Sequence, residues 1–431
     1  MRLALHSRGY SVPDAFRIED LTQPVMPEGW DEQVEAVRPM ADALELEPDA
    51  VIAQATNETG LDDFGPDGWQ TGLGVALDAF GKDYPLSPMG KLSSYGACVD
   101  FLKNRLKLED LIKRHPDILD VELQPPIVIA GLPRSGTTHL HNLLGAAPGL
   151  RELRWWEALE PVLAPDEAPG ATPQTDPRWA RAQAGIDARN SILPHFDAMH
   201  EMTVDHVHEE IHLFGLDFGT MFFENMGAGR LPSWRDYYLG TDQTPHYRYL
   251  ERVQKALSWL RGGDRWVMKS PQHLEQFAVL RSVFPEATIA VTHRDPVSTV
   301  ASFATMVTYS SRTSAAQVDA VEMGRYWTDR VEQMLRACTE DRALLDDAHT
   351  LDVLFHEYMG DEVATVGSIY EKAGLDFGKE ARDAIDAYQR AHPRGRFGRV
   401  LYDLADFGLD AGTLRERFRF YTDRFPVRLE Q

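Results

Sequence analysis

Hydrophobic positions change their period along this chain. From residue 1 to about 120 they recur at helical spacing, as in Val34-Glu-Ala-Val-Arg-Pro-Met-Ala-Asp-Ala-Leu-Glu-Leu46, with little strand signal. Asp62-Asp-Phe-Gly-Pro-Asp-Gly-Trp69 interrupts this region with a turn. Four short apolar runs then stand out: Ile127 to Ala130, Arg265 to Lys269, Thr288 to Thr292 and Leu351 to Phe355. A Pro- and Ala-rich stretch over 161–177 reads as a loop, and 178–260 reads as mostly helical and aromatic. Strands alternating with helices predict an α/β class, with a central parallel sheet covered by helices. The expected organisation is a helical region over 1–120 and an α/β domain over 121–431, with 178–260 inserted as helices. The chain shows no internal repeat and no coiled-coil pattern.

Composition narrows the class. A chain of 431 residues with 43% hydrophobic content can bury a sizeable core. The formal net charge of −23 repels a polyanion such as DNA or heparan, so no nucleic-acid partner is expected. Two cysteines, Cys98 and Cys338, make no disulfide framework. Met1-Arg-Leu-Ala-Leu-His-Ser7 lacks a long apolar run, and no stretch approaches the ~18 apolar residues of a membrane span, so a cytoplasmic protein is expected.

The densest chemistry lies at Ile127-Val-Ile-Ala-Gly-Leu-Pro-Arg-Ser-Gly-Thr-Thr-His-Leu140. It reads as a buried strand, a tight loop over 131–136 and a helix opening near Thr137. Unpaired N–H groups at that helix start, on the positive end of the helix dipole, form a phosphate cradle. Gly131 and Gly136 have P-loop spacing, but Thr137 follows where a Walker A motif requires Lys. The cation has moved inside the loop, to Arg134. A second unit, Thr288-Ile-Ala-Val-Thr-His-Arg-Asp-Pro296, is a strand followed by a helical run. Arg294 at its turn offers a planar fork for phosphate oxygens, and Ser302, two helical turns in, adds a hydroxyl. Taken alone, Arg294-Asp-Pro296 also reads as a helix cap.

Pro133-Arg-Ser-Gly-Thr-Thr138 resembles the 5′-phosphosulfate loop of sulfotransferases that use 3′-phosphoadenosine 5′-phosphosulfate (PAPS). Cytosolic members carry Lys in this hexamer, whereas tyrosylprotein and many bacterial members carry Arg. The resemblance implies a P-loop-like α/β fold and transfer of a sulfuryl group from PAPS to a hydroxyl or amine, leaving adenosine 3′,5′-bisphosphate. It assigns Arg134, Ser135, Gly136, Thr137 and Thr138 to the 5′ end of the donor, and Arg294 with Ser302 to its 3′-phosphate. His392-Pro-Arg-Gly-Arg-Phe-Gly-Arg399 looks like the family loop that closes over the 3′-phosphate, through Arg394, Gly395 and Arg396. A solvated turn is the competing reading. His356 stands where the family has a Tyr near adenine. The helical N-terminal region is expected to help cover the acceptor pocket, with 178–260 on the acceptor side, and a homodimer is the family-level expectation.

Catalysis then falls to the middle of the chain. Arg134 and Lys269 are placed for charge on the transferring and leaving groups. His273 and Glu210 are the leading candidates for the base, with Glu157 behind them, and each also reads as a capping or buried structural residue. A rival motif overlaps them. His208-Glu209-Glu210-Ile211-His212 satisfies H-E-x-x-H, placing two His on one helix face for zinc with Glu209 to activate water. Gly215 keeps metzincin spacing, but Phe218 stands where the third ligand belongs and cannot bind metal. The alternatives to a sulfotransferase are therefore a P-loop phosphotransferase, for which no hydrophobic strand ending in a Walker B Asp is evident, a zinc hydrolase, and a non-enzymatic nucleotide-binding scaffold. The leading reading expects no metal. Phe214, Phe218, Phe222, Phe223, Trp234, Tyr237 and Tyr238 are compatible with a small apolar or aromatic acceptor, although aromatics at these spacings more often pack the core.

Overall fold

The computed structural model describes residues 15–226 and 228–430; the N-terminal Met1–Ser7 reading lies outside these. Six strands occur among the described residues: β1 (Ala15–Phe16), β2 (Gln124–Gly131), β3 (Arg265–Ser270), β4 (Thr288–His293), β5 (Thr350–Leu354) and β6 (Arg399–Val400). β2 to β5 form one parallel sheet in the order β3-β2-β4-β5, and β1 pairs with β6 in a small separate ribbon. The parallel pairing explains the sequence pattern. Helices cover both faces, so β2 and β4 are apolar and buried along nearly their whole length rather than alternating. In such sheets, ligands gather beyond the carboxyl ends of the strands. Register aligns those ends here: Ile129 lies level with Lys269 and Ala290, and Gly131 with Thr292.

The expected helical character of the first region holds, with helices at Trp30–Ala43, Pro48–Thr59, Trp69–Lys82 and Pro88–Arg114. They share one hydrophobic core with the middle segment: Val51, Leu73, Leu77 and Leu102 belong to the same cluster as Phe214, Phe218 and Trp234. Arg105 on the last of these helices is fully buried and joins three segments. Its guanidinium donates to Phe64 O at 2.7 Å, to Pro66 O at 2.5 Å and to Asp217 Oδ1 at 2.7 Å. The turn at 62–69 is thereby tied to the middle of the chain. Segment 178–260 is largely helical, including Pro177–Ile192 and Thr244–Arg261. Among the described residues, no helix is long and apolar enough to cross a membrane.

The aromatic run in that segment does not form a pocket. Phe214, Phe218, Phe223, Trp234 and Tyr238 are essentially inaccessible and pack on one another in the core, as in the Phe223–Trp234 edge contact at 4.8 Å. For these five residues core packing, the competing explanation, is the one observed. Phe218 and Phe223 meet Phe101 of the N-terminal helices, whereas Phe214 packs on Tyr247.

Candidate functional site

The loop after β2 is shaped by two residues with left-handed backbone, Arg134 (φ 69°) and Gly136 (φ 84°). Gly131 has no room for a side chain, since an added Cβ would lie 1.9 Å from Thr292 Oγ1. The Ser135 hydroxyl turns inward, donating to Leu132 O at 2.7 Å and meeting Thr292 Oγ1 at 2.8 Å. Ser135 thus locks the loop onto β4. The helix Thr137–Ala146 begins with no side-chain cap, so its first amides are left to whatever occupies the loop. These features bound a cavity of about 500 Å³ at the sheet's carboxyl edge, which Arg134, Gly136, Thr137 and Thr138 line.

The two phosphate-binding units predicted from sequence meet here. Arg134 Nε donates to Ser302 Oγ at 2.9 Å, and Arg294 donates to the Arg134 carbonyl at 2.5 Å. The remaining fork of Arg294 grips both carboxylate oxygens of Glu430, each at 2.6 Å, and its plane lies over Phe355 at 4.2 Å. Asp295 caps the helix Pro296–Ser311 through the Val297 N–H at 3.0 Å, fixing Arg294 at the turn. His356 borders a smaller cavity of about 250 Å³ with Arg294 and Phe355. Arg394 pairs with Glu362, and Arg396 with Glu201 and the Ala391 carbonyl. Gly395 takes the left-handed backbone (φ 72°) that this turn requires. The loop flanks the cavity through His392 rather than reaching Arg294 or Ser302 directly.

Lys269 is buried, and its Nζ joins Thr138 Oγ1 at 3.2 Å to the Glu209 carboxylate. Glu210 faces the other way. Its Oε2 accepts the Lys269 N–H at 2.9 Å and its Oε1 meets His273 Nε2, while His273 Nδ1 meets Tyr247 O–H at 2.7 Å. Burial pushes the Glu210 carboxyl up, but the His273 ring and the Lys269 N–H outweigh it and hold it below its usual range. The two favoured bases are therefore paired with each other behind Lys269, and neither lines the cavity. Glu157 is further removed. It is buried between Arg151, at 2.6 Å and 3.1 Å, and Arg261, at 3.2 Å; burial raises its carboxyl, but these arginines bring it below the ordinary value.

The H-E-x-x-H segment departs from its expected geometry. The helix begins only at Ile211, so His208 precedes it and the two histidines do not share a helix face. Their rings hydrogen-bond each other, Nε2 to Nδ1 at 2.9 Å, and Glu209 is engaged by Lys269. Glu210 at the helix start turns toward β3 instead, which pulls the segment out of one continuous helix. The cavity also takes in residues that had no role assigned from sequence, among them His200, His206, Arg154 and Tyr388. The only signal was an unusual density of histidine between 195 and 212.

A helix-covered parallel sheet thus brings an arginine-bearing glycine loop without a Walker lysine together with a second arginine at the start of the helix after β4. The chain belongs to the sulfotransferase family, whose model matches residues 125–379. It is similar to the sulfotransferase STF1 from Mycobacterium tuberculosis H37Rv, with 29% identity, 86% of this chain and 97% of that one covered, and a TM-score of 0.75. Sulfotransferase STF9 from Mycobacterium avium is similar at 26% identity, covering 90% and 99% of the two chains with a TM-score of 0.77. No curated protein sequence matches the chain.

Proposed function

We propose that this sulfotransferase takes its sulfuryl group from PAPS and passes it to a hydroxyl or amine of a small acceptor. The observation that carries the reading is the junction of Arg134, Ser302 and Arg294 beside uncapped helix amides. The donor set fits the cofactor: amides and hydroxyls of Thr137 and Thr138 for a phosphosulfate, and a forked guanidinium, already holding a carboxylate, for a separate phosphate. PAPS supplies an activated sulfuryl group on a phosphate leaving group. Arg134, Ser135, Gly136, Thr137 and Thr138 hold that end, and Arg294 with Ser302 hold the 3′-phosphate. The loop around Arg394, Gly395 and Arg396 borders the nucleotide. Lys269, held by Glu209 against Thr138, stabilises charge on the transferring group. Glu210 and His273 act one layer back, fixing the strand that carries Lys269.

The cavity wall is polar and imidazole-rich, with Arg154, Thr203, Asp205 and His206, which suits a polar, hydroxylated acceptor better than an apolar one. The N-terminal helical region supports the acceptor side through the core it shares with 178–260. A thermal-shift panel tests the reading. At ~100 times its dissociation constant a ligand stabilises by ~2.7 kcal/mol, so adenosine 3′,5′-bisphosphate should raise the melting temperature clearly. ATP and zinc should not. Stabilisation by ATP with magnesium and not by the bisphosphate would overturn the reading, as would stoichiometric zinc in the purified protein.

A further inference from the structure

Four imidazoles run away from the phosphate loop. His200 and His206 line the main cavity, and their ring centroids are 5.8 Å apart. His206 and His208 are also 5.8 Å apart, and His208 hydrogen-bonds His212. His206 is 7% exposed, and among the described residues its ring nitrogens have no hydrogen-bond partner. The ring is thus held by its surroundings with no described protein group engaging its nitrogens, and it lines the same cavity as Arg134 and Thr138. Its backbone is fixed on both sides: the His206 carbonyl accepts the Trp155 N–H at 3.0 Å, and its own N–H donates to Thr203 O at 3.1 Å.

We propose that His206 is the catalytic base that removes the proton from the acceptor, an assignment resting on the PAPS reading above. The acceptor oxygen forms a bond to sulfur while the bond from sulfur to the 5′-phosphate oxygen breaks. The electron pair of that bond stays on the bisphosphate, and the acceptor proton passes to a free nitrogen of His206 and then to solvent. His200 forms the facing wall. The four other groups that act on His206 are the Lys269 cation, His141, Arg154 and Arg189; together with burial they keep it neutral, at a pKa of about 3. His200 and His208 sit beside it as neutral rings. The negative charge of a donor bound beside Arg134 and Thr138 offsets the cations and lifts His206 toward the ordinary histidine range, where a base works best.

Two readouts test this, one without turnover. Histidine NMR titrations are recorded on the wild-type protein, free and with adenosine 3′,5′-bisphosphate, using His206→Asn to assign the resonance. The His206 pKa should rise by at least one unit on binding; an unmoved value overturns the proposal. Turnover of labelled PAPS is then measured against water, a phenol and a methyl glycoside. His206→Ala and His206→Asn should each lose ~100-fold or more in rate, with bisphosphate affinity within threefold of wild type. Added imidazole should restore part of the His206→Ala rate. Near-normal turnover in these variants, absence of rescue, or equal loss with rescue at His200→Ala overturns the assignment. Wild-type protein that binds the bisphosphate without any turnover above the uncatalysed rate also overturns it. Failure of wild type to bind the bisphosphate defeats the donor reading instead, so the two failures are distinct.

Discussion

Arg134 is held in a left-handed conformation with its Nε on Ser302, so its remaining N–H groups are aimed before any ligand arrives. Preorganised donors matter most where charge grows during reaction. Arg134→Ala should lower the rate of transfer by ~100- to 1,000-fold while weakening adenosine 3′,5′-bisphosphate by less than tenfold, read by steady-state kinetics and calorimetry. Equal losses would confine Arg134 to ground-state binding. Arg294 makes a different prediction. Its fork already grips a carboxylate, and a charge-assisted hydrogen-bonded pair is worth ~1.5–3 kcal/mol. Arg294→Ala should therefore weaken the bisphosphate by ~10- to 150-fold and adenosine 5′-monophosphate by less than threefold. Similar losses for both ligands would place Arg294 away from the 3′-phosphate.

At the level of elements, the junction at Arg105 binds the helix Pro88–Arg114 to the turn at 62–69 and to Asp217. Removing one partner of a buried ion pair costs ~3–5 kcal/mol when the other is left unpaired, and Asp217 keeps His246 Nδ1 at 2.6 Å, which sets the expected loss at the lower end, ~3 kcal/mol. Arg105→Ala should lower the urea midpoint by an amount corresponding to that loss, and a change below ~1 kcal/mol would show the junction to be solvent-screened. The same elements show what was legible in the sequence. β2 and β4 were readable because parallel strands buried on both faces are continuous apolar runs, and the phosphate loop was readable because its chemistry is contiguous. The cavity was not. It assembles the helix at 137–146 with residues 199–207 and 388–392, and nothing local marks Tyr388 or His206 as neighbours of Arg134. The aromatics of 214–238 left two readings open because period and hydrophobicity are identical for a pocket wall and a core face, and tertiary packing decides for the core. His208 and His212 left a choice open in the same way: spacing alone does not reveal that Glu210 turns to β3 and delays the helix to Ile211.

On the scale of the whole molecule, two effects compete as pH falls from 7.5. The net charge of −23 shrinks toward zero near the pI of about 5.0, relieving self-repulsion. At physiological salt, however, exposed charges are screened over ~8 Å, so that relief is spread thin. Against it stand histidines whose protonation the fold resists, chiefly through desolvation. His141 is pushed down to about 4, His206 and His212 to about 3, and His200 and His208 well below their ordinary value. In the unfolded chain each titrates near ~6.5, so below that pH the unfolded state binds protons that the folded state refuses. Stability is therefore full above ~6.5 and is lost progressively as pH drops toward 4, at ~1.4 kcal/mol per pH unit for each histidine involved. The histidines should win. The urea midpoint should fall steeply between pH 6.5 and 5, although the net charge is approaching zero. His141 isolates one proton of this effect, since it meets Val267 O at 3.1 Å while its Nδ1 has no partner. His141→Gln, which does not titrate, should flatten the slope by about one proton, whatever it does to stability at pH 7.5. A midpoint that rises toward the pI would show self-repulsion, not buried imidazole, to govern the acid limb.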